Sequence, residues 1–233
     1  MRVTGKRGEN MCFSAGASIT AGVLLTFVGT ETLRKVHKPS QIVFASIPLF
    51  FAFQQFTEGV LWLVITHKGY TSLQTAATYI FLIMAQILWP LMLPLSVLLM
   101  ETNKVRKRIL FTLLLAGVGV AFYYMYSLVF YHAHAEISRM HIAYQNTFRN
   151  SFSKTVIGFY LAATIVPLFV SSIKRTYILG IIIGLSFIVS VVFYAKCLTS
   201  VWCFFSAVIS FVIFYTIRDA HKKVHLSSRA LKI

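Results

Sequence analysis

Residues 48–65 read PLFFAFQQFTEGVLWLVI, and this stretch decides the fold because it joins a membrane-spanning composition to a single carboxyl group. A helix of about 20 apolar residues is long enough to cross a bilayer. A charge inside such a helix must be protonated, paired or hydrated, so Glu58 is a functional-site hypothesis. We expect Glu58 to be protonated at neutral pH unless a cation or a basic partner lies beside it.

Composition extends the membrane assignment to the whole chain. Of the 233 residues, 58% are hydrophobic and 12% are charged, whereas a soluble domain carries about 25% charged residues. The net charge is +16, and the basic residues lie between apolar runs, where they set orientation and contact anionic lipid headgroups at cytoplasmic loops. No basic stripe with interleaved aromatic residues forms a groove, so no nucleic-acid partner is predicted.

Seven apolar runs of spanning length predict an all-α polytopic membrane protein, built as a bundle of seven transmembrane helices. The runs cover residues 13–33, 42–66, 73–99, 109–131, 156–173, 177–194 and 198–217. Residues 1–10 form a polar N-terminal extension, and the sequence leaves two natural starts open, Met1 and Met11. Residues 11–217 are then the transmembrane domain, and residues 218–233 are a basic cytoplasmic tail.

The distribution of Lys and Arg between the loops sets the orientation. An N-terminus outside and a C-terminus in the cytoplasm place most of these residues on the cytoplasmic side, as the positive-inside rule requires. The alternative is a cleaved signal peptide that begins with residues 1–10. It would reverse the loops and contradict the rule, so we expect a multi-pass membrane protein with its N-terminus outside.

Several motifs resemble an uncharacterised family of bacterial multi-pass membrane proteins. The chain reads MCFSAGAS at residues 11–18 and QQFTEG at residues 54–59, and it carries Trp89 before Pro90 and Cys197 near Trp202 and Cys203. Members of that family open with Met-Cys-Phe-Ser-Ala and carry Gln-Gln-x-x-Glu-Gly in the second helix. The resemblance covers nearly the whole chain after residue 11. It implies the architecture of a bacterial inner-membrane protein and positions to inspect, but no activity.

A polar face on the second helix is the first candidate site. At about 100° per residue, Gln54, Gln55, Glu58 and Trp62 share that face with Phe51, and it must look into the bundle or into water. Interhelical hydrogen bonds would explain it, and so would a small-molecule or ion site in the outer half of the bundle. With polar residues of the third and seventh runs, the predicted ligand-binding set is Gln54, Gln55, Glu58, Trp62, Gln86, Cys203 and Ser206.

A transition-metal site, for example for Zn, is a second hypothesis. The predicted topology brings thiols and the longest outside loop to one side of the membrane, and imidazole and thiolate are suitable ligands for Zn or Cu. The predicted ligands are His132, His134, His141 and Cys12, with Cys203 and Glu58 nearby. Their spacing matches no zinc motif, and interfacial histidines with inert thiols explain the same residues.

The function predicted first is transport or sensing through the small-molecule or ion site. One alternative is a membrane-embedded enzyme, metal-assisted in one form, that acts on a lipid-like substrate with Glu58 as the catalytic acid or base. Another is a structural or assembly subunit. A retinal protein is excluded because Lys196 precedes the last helix. Nucleotide chemistry is excluded because no phosphate-cradling glycine loop is present.

Small residues and prolines predict how the helices pack. Small residues spaced by four let backbones approach closely, and proline kinks a helix because it lacks an N–H donor. Close contacts are expected at Ser14, Ser18 and Gly22 and at Gly180 and Gly184. Kinks are expected at Pro90, Pro94 and Pro167.

Overall fold

A computed structural model describes residues 14–67, 69–138, 141–148, 153–194 and 206–230. Within these ranges the chain forms seven helical rods and one β-hairpin. The elements are α1 Ala15–Leu33, a 3-10 turn Pro39–Gln41, α2 Ile42–Ile65, α3 Thr71–Leu82, a π-helix Ile83–Leu88, α4 Trp89–Met100, α5 Lys104–Phe130, β1 Ala133–Ser138, β2 His141–Asn146, α6 Lys154–Val170, α7 Thr176–Tyr194 and α8 Ser206–Ala230. The segments α3, π-helix and α4 are continuous and make one rod, Thr71–Met100.

The prediction of a mostly helical chain is confirmed, and each of the first six apolar runs becomes a helix. Four rods are long and apolar enough to cross a membrane: Ala15–Leu33, Pro39–Ile65, Thr71–Met100 and Lys104–Phe130. The helices α6 and α7 are shorter apolar helices, and basic residues follow Ile217 in α8. Seven crossings therefore stay a prediction. The hairpin adds two strands that the sequence did not predict.

The most extensive helix pair is α1 against α2. A Cβ atom on Gly22, Gly29 or Gly59 would come within 2.6–2.8 Å of a side chain on the partner helix, so only glycine permits this approach. Ser18 and Gly22 are buried on this face, as predicted. Ser14 has a different role, because its Oγ accepts a hydrogen bond from the backbone at the start of α1 and caps the helix.

The two glycines that were predicted to pack closely in α7 differ in their contacts. A Cβ atom on Gly180 of α7 would lie 2.7 Å from the Phe169 ring of α6, whereas one on Gly184 would meet nothing within 4 Å. The GxxxG spacing therefore marks one close contact rather than two. Pro94 and Pro167 lie inside α4 and α6.

One end of the bundle, which we call the Glu101 edge, gathers the α1–α2, α4–α5 and α6–α7 connections. Glu101, between α4 and α5, accepts hydrogen bonds from Ser172, between α6 and α7. The side chain of Arg175, in the same α6–α7 connection, pairs with Asp219 of α8 at 2.9 Å. These contacts bring the C-terminal half of α8 to the same edge.

The opposite end, which we call the hairpin edge, holds the α2–α3 connection and the two strands. Gln74 of α3 donates from its Nε2 atom to the Ala135 carbonyl oxygen of β1 at 3.0 Å. Beneath the hairpin lies a packed cluster of buried residues: Leu61, Trp62, Ala77, Phe81, Ala85, Ala135 and Ile142. The hairpin thus covers the ends of α2 and α3 with apolar contacts.

Candidate functional site

The predicted polar face of α2 is buried in the bundle. All four of its predicted members are less than a tenth exposed: Gln54, Gln55, Glu58 and Trp62. A helix that is apolar on its remaining surface becomes a central helix, and α2 accordingly packs against α1, the Thr71–Met100 rod and α8. Three polar side chains and an indole therefore face neighbouring helices rather than the outside of the bundle.

Trp89 fixes α4 to this face. Its Nε1 atom donates a buried hydrogen bond to the Gln54 Oε1 atom at 3.0 Å. Its ring also stacks on Phe51, with 4.2 Å between ring centroids. One indole thus satisfies a buried amide oxygen and packs against α2 through its face.

A π-helix at Ile83–Leu88 interrupts the rod that faces α2. Carbonyl oxygens in a π-helix accept from the N–H five residues further along, but for Ala85 that residue is Pro90, which has no N–H. The Tyr160 hydroxyl of α6 donates to the Ala85 oxygen at 2.7 Å. A side chain from another helix therefore completes the backbone at this point. Such π segments occur frequently at functional sites.

Two buried polar atoms in this region have no hydrogen-bond partner among the described residues. They are the Trp62 Nε1 atom, a donor, and the Gln86 Oε1 atom, an acceptor. Both residues are more than nine-tenths buried. A buried polar group without a partner lowers the stability of the fold by about 1–3 kcal/mol. In this respect the Trp62 and Gln86 atoms differ from those of Gln54 and Trp89, which are hydrogen-bonded to each other.

The π-helix lies at the level of Glu58. The rods α2 and Thr71–Met100 run in opposite directions, and Gln54 meets Trp89. Four residues further along α2, at about 1.5 Å per residue, Glu58 is therefore level with the middle of the π-helix. Trp62, one turn beyond, packs in the same cluster as Ala85. The unpartnered donor and acceptor thus lie near the level of the buried carboxyl group.

The hairpin closes the hairpin edge over this region. The Tyr144 ring stacks on Phe81 of α3, with 4.5 Å between centroids and 5° between the ring planes. The Asn146 Nδ2 atom donates to the Ser127 Oγ atom of α5 at 3.0 Å. The hairpin belongs to the cluster that contains Trp62, so it covers the site from this end.

The structure separates two of the histidines that were predicted as metal ligands. His134 pairs with Gln145 in the ladder, and His141 pairs with Ser138. The two histidines therefore lie four ladder positions apart, about 13 Å along the strands at about 3.3 Å per residue. Side chains at that separation do not share one metal ion.

The remaining predicted ligands do not complete a site within the described ranges. His132 is exposed, and His141 is buried, which lowers the pKa of its imidazole below 6.5. No group of three or more His, Cys, Asp or Glu residues in the described ranges could hold a metal. Cys12 and Cys203 lie outside those ranges, so a site that uses them stays a prediction.

Of the two residues of the seventh run that were predicted to bind a ligand, Ser206 lies within the described residues and Cys203 does not. Ser206 is 1% exposed and Ser210 is fully buried. The Ser210 Oγ atom has no hydrogen-bond partner among the described residues. Because α8 packs against α1, α2 and α7, these serines face helices rather than the outside of the bundle.

Glu101 is a buried carboxylate that the sequence analysis did not single out. Its Oε1 atom accepts from the backbone N–H groups of Thr102 and Asn103 at 2.8 and 2.9 Å. The Ser172 hydroxyl donates to the same oxygen at 2.7 Å, and the Ser172 N–H donates to Oε2 at 2.7 Å. Arg106 completes the cluster by donating to the Ser172 Oγ atom at 3.1 Å. The Glu101 side chain thus accepts four hydrogen bonds, and the two from Ser172 join the α4–α5 and α6–α7 connections.

These hydrogen bonds decide the charge of Glu101. Burial raises the pKa of its carboxyl, but the hydrogen bonds from Asn103, Ser172 and Thr102 outweigh burial and lower the pKa from 4.5 to about 2. The group is therefore ionised at neutral pH. The available signal was its place two residues before Asn103, the N-cap of α5, because a helix N-terminus favours a carboxylate.

The family model for DUF6629, a family of unknown function, matches residues 11–228. The chain belongs to this family. No curated protein and no solved structure matches it. Membership in a family of unknown function agrees with the predicted uncharacterised family, and it transfers no activity.

Two side chains of this DUF6629 site were missed from the sequence. Trp89 was noted only as part of a motif, and Tyr160 was not noted at all. A proline directly after the tryptophan and a lone tyrosine in an apolar run were the available signals. The sequence could not pair Tyr160 with the Ala85 carbonyl, because the two residues lie 75 positions apart in the chain.

Proposed function

We propose that this DUF6629 protein binds a small molecule or ion within a seven-helix membrane bundle and serves transport or sensing in a bacterial inner membrane. The site lies between the polar face of α2 and the π-helix, at the level of Glu58. The N-terminus is outside and the C-terminus is cytoplasmic, so the hairpin edge is the outer edge. The basic α1–α2, α4–α5 and α6–α7 connections at the Glu101 edge support this orientation.

One observation carries the proposal, namely the unpartnered Trp62 Nε1 and Gln86 Oε1 atoms. In hydrocarbon no bulk water can satisfy such groups, and each costs about 1–3 kcal/mol when left without a partner. A packing interface would be more stable with apolar side chains at both positions. A binding site requires them, because an occupant supplies the missing hydrogen bonds.

The chemistry of the pair limits the occupant. Trp62 can only donate through its indole N–H, and the Gln86 oxygen can only accept. A molecule that offers both an acceptor and a donor satisfies the two, as does a hydrated ion through its water molecules. The neighbouring Phe81 and Tyr144 rings favour a small occupant with some apolar surface.

A matched pair of variants tests whether Gln86 belongs to a site or to the scaffold. Gln54→Leu deprives the Trp89 N–H of its acceptor, so it should lower the free energy of unfolding by about 1–3 kcal/mol. Gln86→Leu removes an acceptor that has no partner, so it should leave stability unchanged or raise it. Thermal unfolding of both variants in detergent measures this difference. Equal destabilisation by the two variants would contradict the proposal.

Binding itself is measured by thermal shift with a panel of small polar molecules and ions. A ligand that binds the folded protein raises the unfolding midpoint, and we expect at least one such compound with the wild-type protein. Gln86→Leu should weaken the binding of that ligand about tenfold, the effect of losing roughly one hydrogen bond. A panel without effect on the wild type, or with equal effect on both proteins, would count against the site.

A further inference from the structure

Three basic side chains converge on one turn of α8 at the Glu101 edge. The Lys35 Nζ atom, at the end of α1, lies 5.7 Å from the centroid of the Phe214 ring. The Arg218 guanidinium lies 4.6 Å from the centroid of the Tyr215 ring. The α6–α7 connection adds Arg175, which reaches the same turn. We name Lys35, Arg175 and Arg218 the Arg218 cluster.

The cluster carries more positive charge than its surroundings neutralise. Asp219 pairs with Arg175 at 2.9 Å, and Glu31 pairs with Arg34 at 2.6 Å. Among the described residues, neither Lys35 nor Arg218 has a carboxylate within salt-bridge distance. Two of the three cations therefore rest on aromatic rings instead of anions.

Arg218 also keeps a free donor. Its Nε atom is shielded from solvent and has no hydrogen-bond partner among the described residues. A guanidinium presents its N–H groups in a planar fork that matches a phosphate or carboxylate. The Phe214 and Tyr215 rings lie 5.6 Å apart between centroids. Among the described residues, Lys35 and Arg218 thus place two positive charges without a carboxylate partner beside one turn of α8.

We propose that the Arg218 cluster binds a phosphate group, with the Arg218 fork as its main contact and Lys35 and Arg175 as flanking charges. Phosphate is favoured over a carboxylate because its several oxygens can meet three separate cations. In the proposed orientation this edge lies at the cytoplasmic headgroup level, where anionic lipids present phosphates. A free phosphate ion carries the same chemistry. The proposal does not depend on the site near Glu58.

The test uses the full chain in a neutral detergent and follows the thermal unfolding midpoint. The probes are dioctanoyl phosphatidylglycerol, dioctanoylglycerol as the same lipid without phosphate, and sodium phosphate against sodium chloride at equal ionic strength. Phosphatidylglycerol should raise the midpoint and dioctanoylglycerol should not. If sodium phosphate also raises the unfolding midpoint, free phosphate is one source of the bound group. If sodium phosphate does not raise it, the lipid headgroup is the source.

Variants separate the cluster from general basic charge. Arg218→Gln and Lys35→Gln should each weaken the binding of the phosphate-bearing probe about tenfold, as expected for a lost charged hydrogen bond. Two control variants should weaken that binding less than about twofold. They are Arg108→Gln, on the same edge but outside the cluster, and Lys154→Gln, at the start of α6. If Arg218→Gln fails to fold, Lys35→Gln decides the test alone.

Two results would overturn the proposal. One is a wild-type protein whose midpoint responds to neither phosphatidylglycerol nor sodium phosphate. The other is an equal loss in the Arg108→Gln or Lys154→Gln variant, which would show diffuse attraction to the whole basic surface.

Discussion

A Cβ atom on Gly117 of α5 would overlap the carbonyl oxygen of Pro90 in α4. That oxygen has no helical donor, because the residue four positions further along is Pro94. In glycine a hydrogen takes the place of Cβ, so a Cα–H group faces the oxygen and gives it a weak hydrogen bond. The two prolines thus leave carbonyls that α5 and α6 satisfy, one through Gly117 and one through Tyr160.

Gly117→Ala is expected to destabilise the protein by about 1–3 kcal/mol, the usual cost of overpacking. Gly119→Ala is the matched control on the same helix, since a Cβ atom there meets nothing within 4 Å. The control should be neutral, or stabilising by about 0.5–1 kcal/mol, because alanine suits a helix better than glycine. Thermal unfolding in detergent compares the two. Equal midpoints would refute the close approach of α4 and α5.

Tyr160→Phe should lower the free energy of unfolding by about 1–3 kcal/mol, because it leaves the buried Ala85 carbonyl without its donor. Tyr177→Phe is the control, since Tyr177 is 53% exposed on α7. A second readout is the tryptophan fluorescence of the protein, since one of its three tryptophans, Trp89, lies directly after the π-helix. If the tyrosine supports that segment, its loss should shift the emission, whereas Tyr177→Phe should not. Identical behaviour of both variants would exclude a supporting role.

Glu101 should make stability depend on pH in the acid range. Its folded pKa is about 2, below the ordinary 4.5, so its contribution is complete above about pH 4.5 and is lost as the pH falls towards 2. A shift of this size corresponds to about 3 kcal/mol. Unfolding midpoints between pH 5 and pH 2 measure it.

Glu101→Gln provides the comparison for that titration. An amide offers one acceptor oxygen where the carboxylate offers two, so the variant should be less stable at pH 6. Its unfolding midpoint should also change less between pH 5 and pH 2. Glu31→Gln is the control, because the Glu31–Arg34 pair is exposed at its arginine end and is worth at most about 1 kcal/mol. A wild-type profile parallel to that of Glu101→Gln would show that another group titrates.

Reporter fusions test the orientation in the membrane. Fusions after Lys38 and at the C-terminus should report the cytoplasm, and a fusion between β1 and β2 should report the exterior, because the basic connections lie at the Glu101 edge. A cytoplasmic signal from the hairpin would reverse the assignment of the outer side.

The helices could be predicted from the sequence because apolar runs of spanning length have few other structures open to them. The hairpin was missed although residues 133–138 alternate apolar and polar side chains, because two of the three apolar residues are alanines, which are depleted in strands, and residues 141–146 do not alternate. Its strands are held by contacts with α3 and α5 that join residues far apart in the chain. Tertiary contacts, rather than local propensity, set their conformation.

The candidate site was half predictable. Glu58 and its face on α2 follow from helical periodicity alone, because four residues on one element share a surface. The π-helix opposite could not be located, since apart from Gln86 its residues are as apolar as those around it. Pro90 marked the place as well, but which carbonyl it leaves without a donor depends on whether the preceding turn is α or π. The partner that resolves this, Tyr160, comes from another helix.

Glu101 also has a mechanical consequence for the whole bundle. Its short hydrogen bonds clamp the turn after α4 to the turn after α6, so these helices and α5 between them form a stiff block at that end. At the opposite end a ring stack, neutral hydrogen bonds and buried apolar contacts join the hairpin to the helices. Neutral hydrogen bonds are weaker than charge-assisted ones, so we expect strain across the bundle to separate the contacts beneath the hairpin before those at Glu101.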